Sequence, residues 1–152
     1  MSFKFSIING PNLNWLGKRE KEIYGEKTWD AIWKDLLGWA SPRDISLNYF
    51  QSNTEGVLID HLQEINSKVD GVVFNPGAYA HTSIALRDCV ASLDLPVVEV
   101  HLSKIHQREP FRSHSYIAEV AAACIVGFGE KGYLLALEFL QNLMRHEHSQ
   151  QR

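Results

Sequence analysis

The chain has 152 residues and a mass of 17.3 kDa, with 15 Lys+Arg against 18 Asp+Glu, a formal net charge of −3 and a pI near 6.1. That length predicts one domain, able to bury about two thirds of its unfolded surface without disulfides or a structural metal. The charge balance excludes a nucleic-acid binder that works by bulk phosphate neutralisation, and 45% hydrophobic with 22% charged residues is globular rather than disordered composition.

Residues 3–8 form a strand-length apolar run that ends in Asn9-Gly10-Pro11, a strong turn signal. Residues 28–40 carry Trp29, Ile32, Trp33, Leu36 and Leu37 at helical spacing, with Thr28 as N-cap and Ser41-Pro42 as the stop. Residues 45–51 alternate as a strand, and residues 55–66 show a second helical stripe of Val57, Leu58, Leu62 and Ile65. Gly71-Val72-Val73-Phe74, bounded by Asn75-Pro76-Gly77, reads as a strand buried on both faces. A helix over 83–93 and another buried strand over 96–101 follow. The periodicity of 121–128 is ambiguous, but Ile125-Val126 and the glycines after them favour a last strand. Residues 132–145 form the closing helix, with Leu134, Leu135, Leu137, Leu140 and Leu143. Residues 146–152 are a polar tail expected to fray.

Strands alternating with helices predict an α/β fold: a flavodoxin-like, doubly wound, five-stranded parallel sheet in a three-layer αβα sandwich, spanning 1–145 as one domain. No apolar run approaches the ~20 residues that cross a bilayer, and Met1-Ser2-Phe3-Lys4-Phe5 does not open a signal peptide. Cys89 and Cys124 lie far apart in apolar surroundings, which reads as two buried thiols in a reducing cytoplasm.

Open parallel sheets bind ligands beyond the carboxyl ends of their strands, so the residues there are the candidates. They are Asn9 to Asn14 after the first strand, Asn75 to His81 after the third, and Glu99, His101, Leu102, Ser103, Arg108 and Arg112 at and after the fourth. Glu99 and His101 stand two apart on a strand, so their side chains leave on one face. A carboxylate that holds one ring N–H of an imidazole suits the ring to general-acid work. A structural charged pair at a strand end fits the same spacing equally well.

Tyr24 lies in a charged loop with Arg19. A phenol with a pKa of about 10 is a poor base, but a nearby guanidinium favours tyrosinate. Spacing alone favours a solvated loop with an anchoring Tyr. Asn12 and Asn75 could donate to an oxyanion or orient a water, although Asn is also a common turn residue. His81-Thr82-Ser83 begins a helix whose free N–H groups could receive a carboxylate, and simple capping by Thr82 or Ser83 fits as well. Seven His residues raise a metal reading, but no zinc-type spacing occurs and no metal is expected. Gly127-Phe128-Gly129-Glu130-Lys131-Gly132 follows the last strand rather than the first, so a turn is the better reading than a dinucleotide site, and no cofactor is expected.

Together these segments resemble the type II 3-dehydroquinate dehydratases, or type II dehydroquinases, over about residues 5–140. The stretches that carry the resemblance are Ile7 to Asn14, Gly17 to Glu20 with Ile23-Tyr24-Gly25, Phe50 to Asn53 with Glu55-Gly56, and Asn75 to Tyr79 with His81-Thr82-Ser83. They continue through Ala85 to Asp88, Glu99 to Ser103, and Arg108-Glu109 with Phe111-Arg112. Trp15, Ala80 and Ser113 depart from the usual pattern, and Trp29, Trp33 and Trp39 make the first long helix unusually aromatic. The resemblance implies reversible trans-dehydration of 3-dehydroquinate to 3-dehydroshikimate through an enolate, in the shikimate pathway of aromatic amino acid biosynthesis, without cofactor or metal. It implies Tyr24 as base activated by Arg19, a water held by Asn12 at the enolate, and His101 as acid oriented by Glu99. Asn75, His81, Leu102, Ser103 and Arg112 match substrate-binding positions, with the Leu102 and Ser103 amides on the substrate carboxylate. Arg108 belongs with Arg19 and Tyr24 to a closing loop. A cytoplasmic homododecamer, a tetramer of trimers in which Asp88 reaches a neighbour's site, is also implied. Nucleic acid and membrane are not expected partners.

Two rivals are weaker. A flavodoxin-like small-ligand or regulatory module of the receiver type wants acidic residues where Asn9, Asn12 and Asn75 stand. A hydrolase using His101 wants a nucleophile elbow, and no G-x-S-x-G is present.

Overall fold

The computed structural model describes residues 1–18, 21–24 and 26–152, Lys21 and Tyr24 by their backbone alone. Among the described residues the apolar runs form five strands: β1 (Phe3–Asn9), β2 (Ile45–Gln51), β3 (Gly71–Asn75), β4 (Val97–His101) and β5 (Ala123–Val126). Every pairing is parallel and the spatial order is β2-β1-β3-β4-β5. The helices are α1 (Lys21–Tyr24), α2 (Trp29–Ala40), α3 (Glu55–Ile65), α4 (Ile84–Ser92) and α5 (Lys131–Gln150).

The alternation of side chains along each strand splits the core in two. Phe5 and Ile7 of β1, Val73 of β3, and Val98 and Val100 of β4 pack under α2 and α5 against Ile32, Leu36, Leu137 and Leu140. Ile8, Val72, Phe74 and Val97 point the other way, against Leu58 and Leu62 of α3 and Leu86 of α4. All of β3 is buried, as its continuous apolar run predicts for a strand covered on both faces. The aromatic α2 has a reason in this packing: Trp29 stacks on Tyr49 of β2 at 4.4 Å and meets the edge of Tyr133 of α5 at 5.2 Å.

Capping follows the sequence. The Thr28 hydroxyl accepts from the Ala31 N–H (3.3 Å), and the Ser83 hydroxyl accepts from the Leu86 N–H (2.9 Å). Ser83 is therefore the cap of α4, and His81 closes a separate 3-10 turn, Gly77–His81, before the helix begins. The charged segment read as a loop around Tyr24 contains the single turn α1. The closing helix runs to Gln150 rather than stopping at Arg145. No Gly or Pro interrupts residues 146–150, the Ser149 hydroxyl donates to the Arg145 carbonyl (2.8 Å), and the His148 ring lies 5.7 Å from Phe3. Leu135 of α5 is exposed, and the helix turns Tyr133, Ala136, Leu137, Leu140 and Met144 inward instead. Among the described residues, no helix is long and apolar enough to cross a membrane.

The strand order reverses between β1 and β3, which opens a crevice at their carboxyl ends. The two loops that leave this point are locked together. The Gly10 N–H donates to the Asn75 carbonyl (2.8 Å), and a Cβ on Gly10 would stand 2.5 Å from the Pro76 carbonyl oxygen. Gly77 takes a φ of +58°, where a side chain is strained, and turns the chain against Pro11. Gly10→Ala must push one backbone off another, so it is expected to lower unfolding free energy by about 1–3 kcal/mol. Urea denaturation checks this, and an unchanged midpoint would mean the loops are not locked.

Candidate active site at the carboxyl rim

A cavity at this rim is lined by Asn12, Asn75, His81, His101, Leu102, Ser103, Arg108 and Arg112, eight of the residues singled out from sequence. Asn12 enters it from the loop after β1, with φ 68° in the left-handed region that Asn tolerates. Its N–H donates to the Asn53 side-chain oxygen (3.0 Å), and the Asn53 carbonyl accepts from the Tyr79 hydroxyl (2.7 Å). Gln51 donates from Nε2 to the Gly10 carbonyl and to Asn53 Oδ1, both at 3.1 Å. The loop after β2 thus fixes the loop after β1.

Below Asn75 lies a buried polar chain. Asn75 Nδ2 donates to the Tyr133 hydroxyl oxygen (3.0 Å), Tyr133 donates to Asn9 Oδ1 (2.7 Å), and Asn75 Oδ1 accepts from the Gly77 N–H (3.2 Å). Burial pushes the Tyr133 phenol well above its ordinary range, with the hydrogen bond to Asn75 opposing, so it remains a neutral donor. Asn75 is held from two sides before any ligand arrives.

Glu99 and His101 pair as their two-residue spacing predicts. His101 Nε2 lies 2.7 Å from Glu99 Oε1, with Glu99 fully buried and His101 5% exposed. Burial alone would raise the Glu99 carboxyl. Hydrogen bonds from His101, Ser115 and Cys124 outweigh it and hold the group below the usual carboxylate range. An ionised Glu99 fixes Nε2 as the protonated nitrogen of His101 and leaves Nδ1 as the nitrogen it does not engage. The His81 ring lies 5.9 Å from that of His101, with its Nδ1 2.7 Å from the His114 carbonyl oxygen. Burial lowers the His81 pKa, although the His114 carbonyl acts in the opposite direction. Neutral His81 and a His101 backed by a carboxylate give two imidazoles different roles on one wall.

Beyond β4, no described carbonyl accepts from the backbone N–H of Leu102 or Ser103, although both residues are buried. Arg108 donates from NH1 to the Ser103 hydroxyl (3.4 Å), and Arg112 Nε pairs with Glu109 at 2.7 Å. The cavity therefore joins free N–H donors, two guanidinium groups, two Asn side chains and an imidazole. That set suits a small polyhydroxylated carboxylate.

Asp88 does not line this cavity. It sits on α4, 68% exposed, with Oδ1 3.3 Å from Arg87 NH1. Arg19 lies outside the described residues, as does the side chain of Tyr24. Trp15 is exposed and is not among the lining residues. Cys124 is exposed rather than buried, because β5 is an edge strand, whereas Cys89 is buried as expected. Sequence reasoning missed Gln51, Asn53, Ser115, Cys124 and Tyr133, which hold the candidates from behind. Among the described residues, no group of three or more His, Cys, Asp or Glu is placed to hold a metal ion.

The sheet order and the crevice at its reversal define a flavodoxin-like α/β protein that carries a buried acid–imidazole pair at its carboxyl rim. The sequence profile described as Dehydroquinase class II matches residues 3–141. The chain belongs to that family. It is 54% identical over 136 residues to a protein named 3-dehydroquinate dehydratase from Bacillus pumilus, covering 90% of this chain and 92% of that one. It is 50% identical over 132 residues to 3-dehydroquinate dehydratase 2 of Pseudomonas aeruginosa, covering 87% and 89%. The crystal structure of a type II dehydroquinase from Butyrivibrio crossotus superposes with a TM-score of 0.90 at 42% identity, covering 92% of this chain and 98% of that one.

Proposed function

We propose that this chain is a 3-dehydroquinate dehydratase, a hydro-lyase of the shikimate pathway that interconverts 3-dehydroquinate and 3-dehydroshikimate through an enolate. The observation that carries the reading is the Glu99–His101 pair, buried behind a cavity rich in donors for a hydroxylated carboxylate. The reaction removes a proton α to the ketone and then expels a hydroxide equivalent. Neither half needs a redox group, and each needs one proton carrier.

His101 gives the departing hydroxyl its proton, and Glu99 orients the ring. Tyr24, kept ionised by Arg19, takes the α-proton. Asn12 holds the water that donates to the enolate oxygen. The Leu102 and Ser103 amides receive the substrate carboxylate, while Asn75, His81 and Arg112 bind the ring hydroxyls. Arg108, Arg19 and Tyr24 close over the ligand and exclude water, which strengthens each fixed dipole. Asp88 lies away from this chain's own cavity, which fits a role at a neighbour's site in a cytoplasmic dodecamer.

Incubation with 3-dehydroquinate tests the reading, followed through the ultraviolet absorbance of the conjugated enone. The expected result is catalytic turnover that excess EDTA leaves unchanged and that borohydride with substrate does not abolish. Failure to form the enone would reject the substrate. Loss of activity on chelation would reject the metal-free scheme, and time-dependent borohydride inactivation would point to a Schiff-base lysine.

A further inference from the structure

The parallel register of β4 and β5 sets Glu99 directly opposite Cys124, and paired residues in a parallel ladder project to the same face. Cys124 Sγ lies 3.2 Å from Glu99 Oε2. The other carboxylate oxygen, Oε1, already receives His101 Nε2 (2.7 Å) and the Ser115 hydroxyl (2.5 Å). Among the described residues, Cys124 is thus the sole donor to Oε2 of a fully buried carboxylate. We infer that Cys124 is a positioning residue for the dehydration, donating its S–H to Glu99 so that the carboxylate stays ionised and aimed at His101. The inference rests on the reading of His101 as the acid.

The chemistry of the thiol fits donation and little else. Although Cys124 keeps an exposed face on the edge strand, partial desolvation where it meets Glu99, and after it the negative charge of Glu99, pushes its pKa up to about 12, so the group keeps its proton at neutral pH. A thiol in that state is a poor nucleophile and an unreactive redox group, which separates this role from thiolate chemistry. Few titratable or charged groups can compete. On its own strand Glu99 meets His101, from the covering segment it meets Ser115, and from β5 Cys124. Its partner on β3 is the apolar Phe74. Behind His101 stands His81, which feels the charge of Arg112.

The direction follows from which form the donor favours. A hydrogen bond to a carboxylate stabilises the charged form, so removing it makes Glu99 easier to protonate. Protonated Glu99 no longer demands the Nε2–H of His101, and the acid loses its orientation. The acid-side limb of kcat should therefore move to higher pH in Cys124→Ala, by about half a pH unit for one weak donor, and stay near the wild-type position in Cys124→Ser, which keeps a donor. A purely structural role would not separate these two variants along the pH axis. The carboxyl ¹³C titration of Glu99 in the ligand-free protein gives the same comparison without substrate. An upward shift in Ala but not in Ser, in both measurements, supports the inference. Coincident curves for all three proteins, or equal shifts in Ala and Ser, would overturn it. Wild-type protein inactive toward 3-dehydroquinate would reject the function alone, because the ¹³C titration still decides whether Cys124 acts on Glu99.

Discussion

Replacing His101 by Ala is expected to lower kcat for 3-dehydroquinate by about 10²–10⁴-fold, the usual worth of a positioned general acid, with a much smaller change in KM. The reason lies in the division of labour at the rim. In the proposed assignment ligand binding draws on Asn75, the two amides after β4, His81 and Arg112, all of which line the cavity independently of the imidazole. What the substitution removes is the imidazole braced by the buried Glu99 carboxylate, so under the proposed mechanism the loss is expected on the step in which hydroxide departs. Steady-state kinetics check this split. An equal rise in KM with unchanged kcat would make His101 a binding residue and move the acid elsewhere.

Tyr24→Phe is expected to lower kcat by about 10³–10⁴-fold while equilibrium binding of a substrate analogue stays within a few-fold. Abstraction of a carbon-bound proton needs a strong base, and a phenol becomes one at neutral pH only as the phenolate, with a cation close by. The ring of Phe keeps the bulk and loses the oxygen. Rapid-quench kinetics and calorimetric binding test both parts, and unchanged turnover would remove Tyr24 from the role of base.

Both residues were legible in the sequence to different degrees, and the difference is physical. His101 and Glu99 stand out because a strand of period two puts them on one face, and the structure bears this out at 2.7 Å. β3 announced itself through an unbroken apolar run, and the cap at Thr28 through residue type, while residue type left Thr82 and Ser83 open for α4 and the structure selects Ser83. Tyr24 could be singled out only by family resemblance, since a Tyr in a charged segment has no periodicity to give it away.

The supports of the site were hidden for a different reason. Cys124 reaches Glu99 because β5 pairs in one particular register, and the four residues Ala123–Val126 do not encode a register. Ser115 lies in the long connection between β4 and β5, where spacing carries no geometric information. Tyr133 looks like any apolar-face residue of α5, and only the fold shows that its hydroxyl ends between Asn9 and Asn75. Asp88 shows the opposite limit: a charged pair on α4 marks it in sequence, yet its own chain leaves it at the surface.

In the proposed mechanism two side chains divide the reaction, one taking a proton from carbon and the other returning a proton to oxygen. Solvent exchange separates them. With 3-dehydroquinate in D₂O, the His101→Ala protein is expected to incorporate deuterium α to the ketone well above the enzyme-free background while forming almost no enone. Tyr24→Phe should do neither, and mass spectrometry of recovered substrate reads both outcomes. Exchange that survives in Tyr24→Phe, or vanishes in His101→Ala while the protein still binds substrate, would contradict the account.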